Sequence, residues 1–455
     1  MAEAKREHFG GRLAIIMAMA GSAIGLGNIW RFPYLAGEHG GAAFIFVYII
    51  ASLFLSLPIF LAESIIGRRS HANTYGAMEK LAPGTKWKWM SLLTILAPLI
   101  IVSYYSVVGG WSIEYLLKSL TFSFNSAPKE EITSIFSGFI AQPWAPIACH
   151  TVFLGTCAFI LTAGVKSGIE KFSNWSVPIL FVLILVILIY SLTLPGAMDG
   201  VEYMIKPDFS KIDSNVILAA MGQSFYSLSL GVGTILVYSS YVSKKENLLV
   251  SGVGTAVFDL LFAIMAGFAV MTAVFSAGVK PGAGPGLIFE SLPYVFSTMA
   301  ESAPIISGII AILFFVTILV SALTSGVSLM EVGVAYLVEE KKMRRGIATM
   351  SVFIGTWVLG CLCSLSFGPM SGLKIFGENL FGFCDWISSN FLMALGALLF
   401  SLFVGWKMKK VDVYDEFTNG GTLKVNVLCF NAVYFLIRYI APLVIFIIFL
   451  SGLLL

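Results

Sequence analysis

The feature that most constrains this chain is the recurrence of apolar stretches long enough to cross a lipid bilayer. A hydrocarbon core about 30 Å thick requires about 20 consecutive, mainly apolar residues in a helix. Eleven such segments follow one another along the 455 residues. Their approximate limits are 12–37, 42–68, 88–123, 143–163, 168–195, 213–241, 245–280, 303–340, 346–367, 375–406 and 427–454. The sequence therefore predicts an all-α polytopic membrane protein with eleven transmembrane helices.

The composition excludes the main classes of soluble protein. Hydrophobic residues make up 58% of the chain and charged residues 12%, against about 25% charged residues in soluble domains. A net charge of +3 provides no basic surface for the phosphates of a nucleic acid. We therefore expect a protein that is not an enzyme, that binds no nucleic acid and that shows no evident need for a protein partner.

The distribution of Lys and Arg predicts how the chain is oriented in the membrane. With the N-terminus in the cytoplasm, twenty of these residues lie at the cytoplasmic side and seven at the other side, as the positive-inside rule requires. Because the number of spans is odd, the C-terminus is then extracytoplasmic. We expect a multi-pass protein of the cell inner (plasma) membrane.

The spans divide the chain into five predicted parts. Residues 281–302 open with a Gly/Pro turn and continue as a short amphipathic run, which predicts an extracellular lid or re-entrant helix. The parts are a cytoplasmic N-terminal segment (1–11), a first repeat of helices 1–5 (12–195), an extracellular loop (196–212), a second repeat of helices 6–10 that includes the lid (213–406), and a cytoplasmic loop with helix 11 (407–455).

Two spans carry glycine and polar residues at mid-depth. They read GSAIGLGN at 21–28 and GQSFYSLSLGVG at 222–233. Unwound backbone in a bilayer is tolerated only where it is buried in protein or lines a cavity. Two interruptions five spans apart are typical of an inverted repeat with a ligand site at the membrane midplane. The alternative is close helix packing, because Gly21 and Gly25 have the G-x-x-x-G spacing.

Polar side chains near these interruptions predict binding of a hard cation. Asn28, Ser227 and Asp259 offer oxygen atoms beside the broken helices, and oxygen is the ligand that hard cations such as Na⁺ prefer. A second set, Ser321, Thr324 and Ser325, shares one helix face. Hydroxyl groups at such positions can instead bond to the carbonyl groups of their own helix.

Other ionisable residues within the spans also need a partner, because each costs about 2.5–3.5 kcal/mol at the bilayer centre. We expect Glu63 and Glu331 to bond loosened backbone around the interruptions. Arg438, in the last span, is expected to have a structural role.

Five segments resemble the neurotransmitter:sodium symporter family in its bacterial amino-acid branch, and the bacterial leucine transporter in particular. The resemblance runs from Lys5 to about residue 440. It implies a sodium-coupled symporter that imports a neutral hydrophobic or aromatic amino acid by alternating access. The segments are KREHFGGRLAIIMAMAGSAIGLGNIWRFPYLAGEHGGAAFIFVYI, SGIEKFSNWSVP, GQSFYSLSLGVG, SALTSGVSLMEVGVAYLVEE and CDWISSN.

The resemblance implies two sodium ions beside one substrate, with a gate on each side. The first sodium site falls on Ala23, Asn28, Ser227 and Asp259, and the second on Gly21, Ile24, Ser321, Thr324 and Ser325. Substrate binding falls on Ser22, Ala23, Gly25, Leu26, Gly27, Ile101, Tyr105, Phe225, Tyr226, Ser227, Ser229, Val232, Ser325 and Leu329. The outer gate falls on Arg31 and Asp385, and the inner gate on Arg6 and Glu339.

Three residues at these positions refine what the resemblance implies. Gly25 stands where amine transporters of the family carry an aspartate, which favours an amino acid with its own carboxylate. Val232 stands where the leucine transporter has a larger aromatic residue, which favours a large substrate side chain. Asp259 stands where many relatives have asparagine; its fixed charge predicts transport without chloride and allows proton counter-transport.

Two other readings of the sequence remain. A proton-coupled amino-acid carrier with the same inverted repeat would not need the hydroxyls of Thr324 and Ser325. A membrane channel or sensor would bind a ligand without accumulating it. In addition, Gly168 and Pro178 match the family's unwinding signal for sodium release, although the same spacing suits an ordinary proline kink.

Overall fold

The structure is a computed structural model that describes residues 7–125, 127–278 and 286–454. Within these residues the fold is built from helices and turns, with one isolated β-bridge. The helices are α1 (Arg12–Ala23), α2 (Gly27–Glu38), α3 (Ala42–Ser70), α4 (Thr74–Leu81), α5 (Trp87–Leu120), α6 (Lys129–Ile140), α7 (Ala145–Thr162), α8 (Val165–Ser191), α9 (Ala197–Ile205), α10 (Ser214–Ser227), α11 (Thr234–Ser240), α12 (Leu248–Ser276), α13 (Leu287–Ala300), α14 (Pro304–Glu340), α15 (Arg345–Leu365), α16 (Leu380–Lys407), α17 (Lys410–Phe417) and α18 (Val427–Ser451).

The prediction of an all-helical polytopic protein is confirmed. In the described part of the chain, nine helices are long and apolar enough to cross a bilayer, and α1 with α2 forms a tenth, bent span. The separated helices α10 and α11 occupy the place of the predicted sixth span. With this pair, the order of elements follows the eleven predicted segments, and the limits differ by five residues or fewer.

The first span breaks between α1 and α2. The axes of these two helices differ by 56°. Ile24, which follows α1, has an extended backbone with φ −71° and ψ 103°. The interruption predicted in this span is therefore confirmed, and it frees backbone groups at the end of α1 and the start of α2 from intrahelical hydrogen bonds.

The sixth span breaks at residues 228–233. Three residues in this turn lie in the left-handed region: Ser229 at φ 52°, Gly231 at φ 80° and Gly233 at φ 73°. Gly231 also lies directly against the backbone of Met393, so a side chain there would collide with the Met393 carbonyl oxygen. This break is also confirmed. Position 231 requires glycine because of its positive φ and because a side chain has no room there.

Two groups of packed helices meet at the breaks, and the broken spans belong to one of them. In one group, α5 packs against α7, α14 and α15, and α14 is the longest helix with 37 residues. In the other group, α1 packs against α12, and α11 packs against α3. Helix α1 also packs against α14. The two breaks consequently lie side by side inside the protein, away from lipid.

The two connections predicted to hold structure of their own each contain a helix. Helix α9 lies in the connection predicted at 196–212, and α13 lies in the lid predicted at 281–302. Residues 281–285, with the Gly/Pro turn of that prediction, lie outside the described residues. Near the start of α8, the backbone around Gly168 forms a wide helical turn, and the helix continues through Pro178.

Candidate functional site

A cavity lies where the two breaks face each other. The volume that it encloses is about 40 Å³. Eleven of the fourteen residues predicted to bind substrate line it, together with Met393, which the sequence reasoning missed. The lining residues are Ala23, Gly25, Leu26, Gly27, Ile101, Tyr105, Tyr226, Ser229, Val232, Ser325, Leu329 and Met393.

The other three predicted substrate residues are not among those that line the cavity. The Ser22 hydroxyl donates to Ser328 Oγ at 2.8 Å, and the Ser22 carbonyl accepts the hydroxyls of Ser229 and Ser325. Phe225 is buried near the end of α10. Ser227 ends that helix and belongs to a separate polar cluster. Ser22 and its partners therefore join the two breaks to α14.

One end of the cavity presents hydrogen-bonding groups to a ligand. The backbone N–H of Leu26 donates to the Tyr105 hydroxyl at 3.3 Å, and the N–H of Gly25 donates to Asn28 Oδ1 at 3.1 Å. These groups lie at the start of α2, where a helix attracts anions. A Cβ at Gly25 would lie 2.5 Å from Ser325 Oγ and 3.0 Å from the Tyr105 hydroxyl. The absence of a side chain at Gly25 therefore keeps this end of the cavity open.

The residues of the predicted first sodium site form one buried cluster. Asn28 Nδ2 donates to Asp259 Oδ1 at 2.7 Å, and Ser227 Oγ donates to Asp259 Oδ2 at 2.8 Å. Asn28 Nδ2 also lies 3.1 Å from Ser227 Oγ. Ala23, the fourth residue of that prediction, ends α1 and lines the cavity. Only 2% of Asp259 is exposed, so its carboxylate is a strong ligand for a cation once water is excluded.

Two further polar residues adjoin this cluster. The Tyr48 hydroxyl donates to Ser227 Oγ at 3.2 Å. Gln223 Nε2 donates to the carbonyl oxygen of Gly27 at 2.9 Å, while Gln223 Oε1 is buried without a hydrogen-bond partner in the described structure. Tyr48 and Asp259 thus both bond to the hydroxyl of Ser227. Gln223 bonds to the backbone at the start of α2.

The residues of the predicted second sodium site also come together, between α14 and the end of α1. Thr324 Oγ1 lies 3.4 Å and Ser325 Oγ 3.3 Å from the carbonyl oxygen of Ile24. A Cβ at Gly21 would lie 3.5 Å from Thr324 Cβ. Thr324 Oγ1 also bonds to the Ser321 carbonyl at 2.8 Å. The Thr324 hydroxyl therefore bonds within its own helix, as the alternative reading of the sequence allowed, and also faces the broken backbone. The Ser325 hydroxyl bonds to the carbonyl groups of Ser22 and Ile24 at the break.

The predicted outer gate residues both lie near Tyr226. The Arg31 guanidinium lies 4.7 Å from the centre of the Tyr226 ring, and the Asp385 carboxylate interacts electrostatically with Tyr226 and Tyr104. Among the described residues, Arg31 and Asp385 do not form an ion pair within 4.0 Å. Their pairing stays a prediction for a state in which the outer side is closed.

The sequence identified only some of the residues around the predicted inner gate. Arg6 lies outside the described residues, and Glu339 accepts hydrogen bonds from the backbone and side chain of Asn73. Glu331, expected to bond loosened backbone, instead pairs with Arg345 at 2.6 Å and accepts the Tyr241 hydroxyl at 2.7 Å. Arg345 was missed because a cation next to a span normally only marks its cytoplasmic end.

Glu63 behaves as expected. Its Oε1 accepts the backbone N–H of Gly231 at 2.7 Å. Glu63 is fully buried. It therefore satisfies one of the backbone groups that the second break leaves without a helical partner.

Comparison with known proteins agrees with this arrangement. The model of the sodium:neurotransmitter symporter family matches residues 6–133 and 130–454. An uncharacterized sodium-dependent transporter, YhdH, of Bacillus subtilis is 36% identical over 99% of this chain and 98% of its own length. A second uncharacterized sodium-dependent transporter, from Haemophilus influenzae, is 34% identical over 99% of this chain and 98% of its own length. The crystal structure of MhsT in complex with L-phenylalanine is 40% identical, with a TM-score of 0.89 over 98% of this chain and all of that one.

Proposed function

Because the chain belongs to the sodium:neurotransmitter symporter family, we propose that it is a sodium-coupled symporter that imports a neutral hydrophobic or aromatic amino acid by alternating access. The observation that carries this proposal is the position of the cavity. Exposed backbone of a broken helix forms one wall, and the buried carboxylate of Asp259 lies close behind it. Such a site suits a zwitterion bound next to a cation.

The cavity lining supports an amino acid as the substrate. The Tyr105 hydroxyl and the N–H groups of Leu26 and Gly27 suit the substrate carboxylate. The carbonyl oxygens near Ala23, Phe225 and Ser227 suit its ammonium group. The remaining wall is mainly apolar, with Ile101, Val232, Leu329 and Met393. MhsT was crystallised with L-phenylalanine, which favours a large apolar side chain here also.

Two sodium ions would bind in the two oxygen clusters. A cation at the first cluster needs the Asn28 amide to rotate, so that Oδ1 replaces Nδ2 beside Asp259. That rotation releases the Gly25 N–H from its bond to Asn28 Oδ1. The released N–H then points to the end of the cavity that suits the substrate carboxylate, which links binding of sodium to binding of substrate.

The charge of Asp259 makes chloride unnecessary in this proposal. A sodium ion and a fixed carboxylate neutralise each other in the buried cluster, where a second anion would only be required if the carboxylate were absent. When sodium leaves, a proton can neutralise Asp259 for the return of the empty carrier.

The driving force is sufficient for strong accumulation. Two sodium ions carried inward with a neutral substrate are worth about 4.6 kcal/mol per 100 mV of membrane potential, which supports about 2,000-fold accumulation. Export of one proton in each cycle would halve this electrical contribution. The N-terminus faces the cytoplasm in this proposal, the C-terminus faces outward, and the membrane is the cell inner membrane.

The proposal is tested by uptake into proteoliposomes of the purified protein. A panel of twenty labelled amino acids is offered while sodium, chloride and pH are varied separately. We expect accumulation of aromatic or large aliphatic amino acids that needs sodium and not chloride. Equal uptake from potassium buffer, or uptake driven by a pH gradient alone, would contradict sodium coupling and favour a proton-coupled carrier.

The variant Tyr105→Phe tests the carboxylate end of the cavity. It removes the hydroxyl that contacts Leu26 while it keeps the ring. Because a hydrogen bond to a charged group contributes about 1.5–3 kcal/mol, substrate affinity should fall roughly 10- to 150-fold. The control is Tyr115→Phe in the same helix, which removes a hydroxyl bonded to the Phe289 carbonyl away from the cavity. Equal loss in both variants would argue against this role.

The variant Val232→Phe tests what sets the size of the substrate. Val232 is buried in the cavity wall, and a ring at this position fills space that a large side chain needs. Overpacking costs about 1–3 kcal/mol, so uptake of phenylalanine and tryptophan should fall roughly 5- to 150-fold. Uptake of alanine by the same variant is the control and should be retained, because the small side chain of alanine does not need the space that the ring fills. A uniform loss for all amino acids would show that the fold, rather than the selectivity, has changed.

A further inference from the structure

Arg438 is a charged residue within the last span, and aromatic rings rather than carboxylates surround its side chain. Its guanidinium lies 4.5 Å from the centre of the Trp406 ring and 5.4 Å from that of Tyr439. Its Nε is buried and has no hydrogen-bond partner among the described residues. An arginine in a membrane span normally has a partner, so this side chain has unused hydrogen-bond donors.

The position of Arg438 is fixed by tight packing between α16 and α18. Trp406 Nε1 donates to the Arg438 carbonyl at 2.9 Å, and the Tyr434 hydroxyl donates to the Gly405 carbonyl at 3.1 Å. A Cβ at Gly405 would lie 2.8 Å from the Arg438 Cα. The guanidinium and the two rings therefore form a rigid group rather than a mobile surface chain.

This group faces lipid at the depth where α16 ends. Trp406 is 57% exposed and Tyr439 46%, and only 22% of the apolar window of α18 is buried. Because Trp406 is the residue before the last one of α16, the group lies near the membrane surface. Tryptophan and tyrosine are typical of this interfacial layer.

The charges around the group favour an anion. Lys407, Lys409 and Lys410 follow directly and are exposed. The acidic residues of the neighbouring helix α17 are already paired with Arg68 and Arg69 of α3. These ion pairs involve Asp412, Asp415 and Glu416. The lysines and Arg438 thus leave a positive patch at the inner end of the molecule.

We propose that Arg438, Trp406 and Tyr439 form a binding site for the headgroup of an anionic phospholipid. The planar guanidinium donates two hydrogen bonds to the lipid phosphate while it stacks on Trp406. The exposed lysines attract the remaining negative charge of the headgroup. The acyl chains lie along the exposed apolar face of α18. This site is independent of the transport proposal, since it lies on the outer surface of the helix bundle.

Lipid binding to the purified protein in detergent tests this inference. Dioleoyl phosphatidylglycerol and dioleoyl phosphatidylcholine are titrated separately, and bound lipid is counted by native mass spectrometry. We expect wild-type protein to prefer phosphatidylglycerol and to lose this preference in 0.5 M salt. One interfacial cation contributes about fivefold in affinity, so Arg438→Gln should weaken phosphatidylglycerol binding about fivefold. Arg438→Lys keeps the charge without the planar stacking. Its affinity for phosphatidylglycerol should lie between those of wild type and Arg438→Gln.

The matched control is Arg344→Gln, which removes an exposed arginine from the same end of the molecule and should retain the lipid preference. Equal binding of the two lipids by wild-type protein would overturn the proposal, even if Arg438→Gln fails to fold. An Arg438→Gln variant that changes the oligomeric state but not lipid binding would also overturn it, and would indicate contact between copies of the chain.

Discussion

Replacing Asp259 with asparagine is expected to make uptake depend on chloride. The Asp259 carboxylate lies within hydrogen-bond distance of both Asn28 and Ser227, in the cluster proposed to hold the first sodium ion. The variant keeps the shape of the side chain and removes its charge. A bound sodium ion then lacks a compensating anion inside the protein, and chloride beside Tyr48 and Ser227 can supply one.

The expected effect is large because the cluster is buried. Two unit charges 4 Å apart interact by about 4 kcal/mol at an effective dielectric constant of 20. Loss of half of this stabilisation lowers sodium affinity about 30-fold. Uptake by Asp259→Asn in chloride-free buffer should fall by at least this factor, and added chloride should restore most of it. The measurement is initial uptake at several sodium concentrations with chloride or gluconate.

The control for this variant is Asp208→Asn, which removes an exposed carboxylate from an outer connection. It should behave as wild type in both buffers. Uptake by Asp259→Asn that is unchanged and insensitive to chloride would contradict the proposed role of the carboxylate. Loss of uptake that chloride does not restore would show that Asp259 is needed for another reason.

Replacing Gly231 with alanine is expected to abolish transport. Gly231 has φ 80°, where an L-residue is disfavoured by about 1–2 kcal/mol. Its new Cβ would also collide with the carbonyl oxygen of Met393 in α16. Together these effects should destabilise the protein by about 3 kcal/mol or more. Thermal stability in detergent and sodium-dependent uptake both measure the change.

Gly222 provides a matched comparison in the same broken span. It lies within α10, and a Cβ there meets no atom within 4 Å. Because alanine is the better helix former by about 1 kcal/mol, Gly222→Ala should be as stable as wild type or more stable. If Gly231→Ala transports normally, the second break does not need the left-handed backbone of Gly231, and this turn is not essential to the cavity wall.

The breaks could be located from the sequence because a backbone group without a hydrogen-bond partner has a high free-energy cost in a bilayer. Glycine and hydroxyl residues at mid-depth in two otherwise apolar spans have few physical explanations. The residues along those breaks, such as Gly25 and Ser229, could therefore be predicted to line the cavity, as they do. The resemblance to a family added the positions on other helices, among them Ile101 and Leu329.

Other residues of the site carried no signal of their own. Met393 lies in the apolar run FLMALGALLF and reaches the cavity only because α16 packs against Gly231. Arg345 pairs with Glu331 across a turn between two helices. In both cases the sequence shows an ordinary apolar or basic residue, and its partner is chosen by how distant helices pack.

The sequence by itself determined that the chain crosses the membrane many times, where two of its helices break and which oxygen-bearing side chains lie near those breaks. These features follow from local chemistry. The free energy of placing an apolar run or a polar interruption in lipid depends mainly on the residues of that segment. Only the tertiary structure decided which groups meet: Asn28 with Asp259, Thr324 with the Ile24 carbonyl, and Arg438 with Trp406. Such contacts join residues far apart in the chain, and their geometry depends on the packing of whole helices.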